Sequence, residues 1–326
     1  MRRLMGAGAL LGLLAATGLI GYYGAGPVFS AVASVGWGLG LVVLARVAAV
    51  AGAGLAWRSL MSGAAPPPLA VFVGLRWIRE SVNALLPVGQ VGGEFVGARL
   101  LTFFGVAGGP AGAGVLVDLL LQVVTQFLFT VLGFGALVAL GGDAALVRWV
   151  GVGLLAAAPA LVGFFLAQRL GLVLLVERLL VGAAGRWRWA ALGGVANLHD
   201  GVQAIYRDGR RVLAGAVLHM AVWFVGIAEI WLALRFMGHP VGLVEALVLE
   251  SLSHAVRSAA FPIPGGLGAQ EGGFVVLSGL FGFGPEIALA LSLVKRVPDL
   301  VLGLPGLLAW QALESRRLLP GGGGEG

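Results

Sequence analysis

Asn83-Ala-Leu-Leu-Pro87-Val-Gly89-Gln90-Val-Gly-Gly-Glu94 breaks a hydrophobic helical pattern with one proline and three glycines. The break occurs twice. Sliding the chain on itself by 177 residues sets PVGQVGGE, from Pro87 to Glu94, on PGGLGAQE, from Pro264 to Glu271. Pro87, Gly89 and Glu94 fall on Pro264, Gly266 and Glu271, and the match extends to Ser81/Ser258, Leu100/Leu277, Phe104/Phe281 and Gly105/Gly282. Two interrupted helices at corresponding places in two halves of a chain are the sequence mark of a transporter's binding site.

The flanks of the two breaks share a design. Leu69 to Leu86 reads as a helix with Arg76, Arg79, Glu80 and Asn83 on one face, at i, i+3, i+4 and i+7. Glu94 to Gly105 is a half-length helix, since about twelve residues at 1.5 Å give ~18 Å against a ~30 Å bilayer core. In the second copy, Val241 to Ala260 carries Glu250, His254, Arg257 and Ser258, Phe261-Pro-Ile-Pro-Gly-Gly breaks it, and Glu271 to Phe283 is the second half-helix. The repeat elements are therefore about 69–106 and 241–283.

Composition sets the class. Hydrophobic residues make up 59% and charged residues 11% of the chain, with a mean hydropathy of +0.98; a soluble domain is about 25% charged. The expectation is an all-α polytopic membrane helix bundle. The net charge of +6 collects in short segments, as the positive-inside rule requires, and nucleic acid is not an expected partner. There are no cysteines, hence no disulfides, thiolate metal sites or cysteine nucleophiles. The 56 glycines are more than twice the usual ~7% and favour close helix packing.

Met1-Arg2-Arg3 precedes an apolar run from Leu4 to Ile20, read as a first span rather than a signal peptide because it lacks a small-x-small cleavage site. A second span runs from Ala31 to Trp57 with Arg46 inside it. Further spans are Ala111 to Leu140, with Asp118, Gln122, Thr125 and Gln126 on one stripe, Leu146 to Gln168, Val212 to Met237, with His219 and Glu229, and Pro285 to Ala312. Arg169 to Arg211 holds seven arginines and reads as the cytoplasmic loop, with an amphipathic stretch at Leu172 to Leu180. Residues 1–320 form a single domain and Gly321 to Gly326 a flexible tail. About six spans plus two re-entrant elements, eight hydrophobic segments in all, place both termini in the cytoplasm. Three spans then separate the two breaks, so they enter from opposite faces as an inverted repeat. If the longer arms, Leu69 to Leu86 and Val241 to Ala260, cross completely, that parity changes.

Seven carboxylates lie inside apolar segments or at the breaks: Glu80, Glu94, Asp118, Glu229, Glu250, Glu271 and Asp299. At about 2.5 to 3.5 kcal/mol for each charge facing lipid, they would together exceed a typical folding stability of about 5 to 15 kcal/mol. They must face the bundle interior, pair with bases or hold protons. The expected substrate-binding or transport residues are Glu80, Asn83, Gln90, Glu94, Glu250, His254, Arg257, Gln270 and Glu271. Arg76, Arg79, Asp118, Lys295, Arg296 and Asp299 are expected as supporting buried charges. Glu94 and Glu271 stand at half-helix N-termini, where they either cap their own helices or serve as proton, cation or head-group sites. No GxxxxGK[ST], HExxH or GxSxG is present, and the four histidines show no ligand spacing. No catalytic residue, metal or cofactor is therefore expected.

The stretches RESVNALLPVGQVGGEFVGARLL, ESLSHAVRSAAFPIPGGLGAQEGGFVVLSGLFG and SLVKRVPDLVLGLPGLLAWQALESRRL resemble the flippase-like transmembrane family of lysylphosphatidylglycerol synthases. The chain most resembles the family's stand-alone subgroup associated with hopanoid biosynthesis. The resemblance implies a bacterial inner-membrane bundle with a pseudo-symmetric repeat that moves polar lipids between leaflets. It does not fix the substrate, and the aminoacyl transfer of the synthases belongs to a separate soluble domain. The expected activity is translocation of a polar or hopanoid-linked lipid, downhill or ion-coupled, with membrane lipids as partners. The alternatives are a membrane-embedded head-group transferase and a scaffold for lipid-synthesis enzymes.

Overall fold

The computed structural model describes residues 14, 17–61, 66–86, 92–170, 195–260, 263 and 266–318. Among them every regular element is a helix: α1 (Ala25–Ser34), α2 (Gly38–Leu60), α3 (Leu69–Leu85), α4 (Gly92–Thr102), α5 (Gly108–Ala139), α6 (Ala144–Arg169), α7 (Val195–Arg207), α8 (Gly209–Phe236), α9 (Leu243–Ala259), α10 (Ala269–Gly279) and α11 (Pro285–Leu318). Four of these, α2, α5, α6 and α8, are long and apolar enough to cross a membrane. The expected span at Leu4 to Ile20, the stretch at Leu172 to Leu180 and the glycine tail lie wholly or mostly outside the described residues.

One expectation is corrected, and one polar stretch is found to hold a helix. The span read from Ala31 to Trp57 is not one helix. The chain turns between α1 and α2, where Gly36 takes a φ of +53°, and the Phe236 ring lies against Gly38 so closely that a Cβ would collide with it. Only glycine suits both positions. The polar stretch from Arg169 to Arg211, read as a loop, contains α7. Its Leu198, Val202 and Ile205, at i, i+4 and i+7, form an apolar stripe buried against Ala113, Val117 and Leu121 of α5.

Both half-helices are present. α4 and α10 have eleven residues each, about 16 Å at 1.5 Å per residue and so roughly half the bilayer core. Moved by 177 residues, Gly92–Thr102 lands on Ala269–Gly279 and the start of α5 at Gly108 lands on the start of α11 at Pro285. Packing follows the same exchange: α2 and α8 lie against each other, while α3 packs on α11 and α9 on α5. The largest apolar core joins these partners through Ile230, Leu249, Phe274 and Leu291.

Helix α6 stands apart. Only Gln168 on it is buried, and it is held by α5 along its length and by α7 at its end. There Gln168 Nε2 donates to Leu116 O at 3.1 Å and Tyr206 Oη donates to Gln168 Oε1 at 2.8 Å.

Close approach of α2 and α3 depends on Gly54, where a Cβ would stand 2.8 Å from the Val73 Cα. Backbone atoms cannot move aside as a side chain can. Gly54→Val is expected to destabilise the protein by about 1 to 3 kcal/mol, read as a lowered thermal midpoint in detergent. Gly163→Ala, where a Cβ meets nothing within 4 Å, should leave the midpoint unchanged or raise it slightly. Equal midpoints for both variants would refute this packing.

Candidate functional site

The polar face of α3 comes about because residues 76, 79, 80 and 83 share a helix side and α4 folds back along it. Arg79 lies across Gly97 of α4, where a Cβ would come within 2.7 Å of its Cγ. Its guanidinium stacks on Trp57 of α2, 4.6 Å from the ring centroid. From there Arg79 reaches Glu94 and donates to Asp118 Oδ2 at 3.0 Å. Arg76 donates to the same Asp118 oxygen at 3.2 Å and to Glu80 Oε1 at 2.5 Å. The other Asp118 oxygen meets His219 Nε2 of α8 at 2.9 Å. Asp118 is fully buried, while the Glu80 side chain is 44% exposed.

A second network joins α2, α8, α9 and α11. Arg46 holds Glu229 with two bonds of 2.8 Å and Asp299 with one of 3.1 Å. Lys295 lies 2.6 Å from Glu250 and 3.5 Å from Glu229. His254 Nε2 lies 3.1 Å from Glu250 Oε1. Gly226 on α8 lets Glu250 in, since a Cβ there would meet its Oε1 at 2.6 Å. Arg257 is held least: its nearest partners are Asp299 at 3.6 Å and Gln270 at 3.5 Å. Gly266, at a φ of +61°, leaves room for it.

The two half-helix glutamates diverge. Glu271 Oε2 accepts from Gly268 N at 2.7 Å, capping α10, and Oε1 accepts from Arg296 and from Ser292 at 2.8 and 3.1 Å. Glu94 joins Arg79. Asn83 Oδ1 accepts from Gly93 N at 2.8 Å, and Asn83 Nδ2 donates to Glu94 Oε1 at 3.3 Å.

Both networks border one cavity of about 1090 Å³. Its polar wall includes Arg46, Arg76, Glu80, Asn83, Glu94, His254, Arg257 and Asp299, and its opposite wall includes Leu146, Trp149, Leu154, Leu161 and Phe164 of the loosely held α6. The expected residues divide accordingly. Glu250, Gln270, Glu271, Arg79, Asp118, Lys295 and Arg296 lie behind the lining, and Gln90 lies outside the described residues. Arg46, His219 and Glu229 were not among the expected site residues. A buried ionisable group on each of two apolar helices was the available signal, but which carboxylate each would meet depends on helix packing.

This lining accepts an amphiphile: charged hydrogen-bonding groups on one side and hydrocarbon on the other. The lysylphosphatidylglycerol synthase TM region family matches residues 9–306 of the chain. No curated protein and no solved structure matches it.

Asp118 is the common acceptor of two buried guanidiniums, so Asp118→Asn is expected to cost about 3 to 5 kcal/mol, as removal of one partner from a buried ion pair does. Asp143→Asn, at the N-cap of α6 where asparagine caps equally well, should shift the thermal midpoint little. A small effect of Asp118→Asn would mean that the network does not hold the helices together.

Proposed function

The chain belongs to the lysylphosphatidylglycerol synthase TM-region family, and from that membership and its two-sided cavity we propose that this multi-pass membrane protein translocates a polar lipid between leaflets. The observation that carries the reading is the cavity itself. A head group occupies the charged side, lined from both broken elements, while the acyl chains lie against α6. At about 1090 Å³ the space is at the upper end of small-molecule pockets, about 300 to 1000 Å³, as suits a head group with part of its chains.

On this reading the chain sits in a bacterial inner membrane with about six spans and cytoplasmic termini. The elements α2–α5 and α8–α11 form an inverted repeat, so the two half-helices open toward opposite faces. The exchange of packing partners between halves supports the repeat itself. The lipid is one of hopanoid-linked or general polar-lipid metabolism, and the protein carries it unchanged.

Purified protein in vesicles should move fluorescent phospholipid between leaflets and yield no new lipid species from labelled phospholipid. Turnover that is abolished by Glu271→Gln would instead support a transferase. Glu94→Gln should lower translocation per folded molecule, because Glu94 lines the cavity. Glu271→Gln should act mainly on stability, because Glu271 caps its helix behind the lining. Full transport by the double variant would remove both carboxylates from the mechanism.

The inversion has its own test, made simple by the absence of native cysteines. Cysteines placed at residues 104 and 281, just past the ends of α4 and α10, should be labelled by an impermeant thiol reagent from opposite sides. Labelling from the same side would overturn the inverted arrangement.

A further inference from the structure

The first network holds one acid more than it has bases. Glu80, Glu94 and Asp118 face only Arg76 and Arg79. The second network is matched: Glu229, Glu250 and Asp299 face Arg46, Lys295 and Arg257. Glu271 faces Arg296. Neighbouring elements do not restore the balance among the described residues. From α2 the first network meets Trp57 and feels Arg46, which Glu229 and Asp299 already hold. From α8 it meets His219. The five residues between Leu86 and Gly92 include no ionisable side chain, and the α4 N-terminus offsets about half a charge at most.

An uncompensated buried carboxylate costs several kcal/mol. His219 can supply the missing charge from inside the bundle without breaking a contact. Its Nε2 must donate to Asp118 Oδ1, because an ionised carboxylate only accepts. A second proton on the ring keeps that bond and turns imidazole into imidazolium. Both residues are sealed from solvent. The connection to the cavity runs through Arg76, which bridges buried Asp118 and cavity-facing Glu80.

We propose that the Asp118–His219 pair is a proton-binding site linked to the cavity, and that a phosphate-bearing head group moves together with a proton. This deepens the translocator reading and rests on it. An entering phosphate adds negative charge beside a network already in acid excess and competes with Glu80 for Arg76. Both changes favour the proton on His219. By reciprocity the proton favours the phosphate by the same factor. The Arg76 link couples charge and carries no proton; the proton is taken from water on one side of the membrane and returned on the other as the bundle opens His219 to each side in turn, with no other reactant.

The test uses the full chain in vesicles with fluorescent phosphatidylglycerol and a trapped pH dye. A gradient of one pH unit should drive unequal leaflet distribution, up to about tenfold for one proton per lipid, and lipid movement should change the internal pH. His219→Gln retains an amide donor for Asp118 and should lose the gradient response. His239→Gln, whose ring meets Phe283 edge-on away from both networks, should keep it. Gradient-driven distribution retained in His219→Gln would overturn the assignment to His219. Lipid movement indifferent to the gradient in the native chain would overturn the coupling and leave the translocator intact. No movement under any gradient would overturn the translocator reading itself. Should His219→Gln fail to fold, proton uptake by the native protein in weak buffer, on addition of short-chain phosphatidylglycerol, decides the matter. Uptake supports the coupling and its absence overturns it.

Discussion

A charge inside a membrane needs a partner within bonding reach, because no water stands ready to replace one. That constraint organises this bundle. Asp118 ties α3 to α5 and α8 through two guanidiniums and one imidazole, and Arg46 ties α2 to α8 and α11. The His219 bond and those of Arg46 cross between the two halves of the chain. The networks therefore do more than neutralise charge, since they fix how the halves face each other. Hydrophobic cores alone would not do this in lipid, whose tails are as apolar as leucine. The geometry is also selective: removing one partner strands another, so each network holds or fails as a unit.

Glycine makes the arrangement possible. A guanidinium or carboxylate can lie inside a helix bundle only where a neighbouring backbone leaves room, and Gly97, Gly226 and Gly266 leave it for Arg79, Glu250 and Arg257. Gly54 lets α3 approach α2 closely, and α3 carries the polar face. The high glycine content thus has a local chemical meaning at a few positions rather than a general one. The interrupted elements add a second effect: a half-helix places a terminus inside the bundle, where its polar groups meet Glu271 or Asn83.

The cavity inherits its asymmetry from unequal packing. Elements α3, α4, α9 and α11 are drawn together by ion pairs and present their polar sides to one space, whereas α6 makes no ion pair among the described residues and is held by apolar contact and by the Gln168 hydrogen bonds near its end. A wall so loosely held is the part of the site with the fewest contacts to break. Pro159 within it removes one backbone hydrogen bond near its middle. The polar wall, tied at both ends, keeps its charges in place.

Composition and period were enough to give the all-α bundle, the polar faces of α3 and α9, both half-helices and the 177-residue correspondence, because helix periodicity and proline-glycine breaks are local properties of the chain. They also singled out the seven interior carboxylates, since a charge in an apolar run is visible in one dimension. They missed the turn before α2, where Gly36 and Gly38 looked like ordinary glycines of a glycine-rich span, and α7, whose short apolar stripe lies inside a long polar stretch. Partnership was beyond them. Glu94 and Glu271 occupy equivalent positions in sequence, yet one joins Arg79 and Asn83 while the other caps its helix and meets Arg296. The imbalance of charge around Asp118, and the place of His219 in it, exist only once helices far apart in the chain are packed side by side. A buried charge is set by its own residue, but its energy and its chemistry are set by which neighbours lie within a few ångströms, and packing alone decides that.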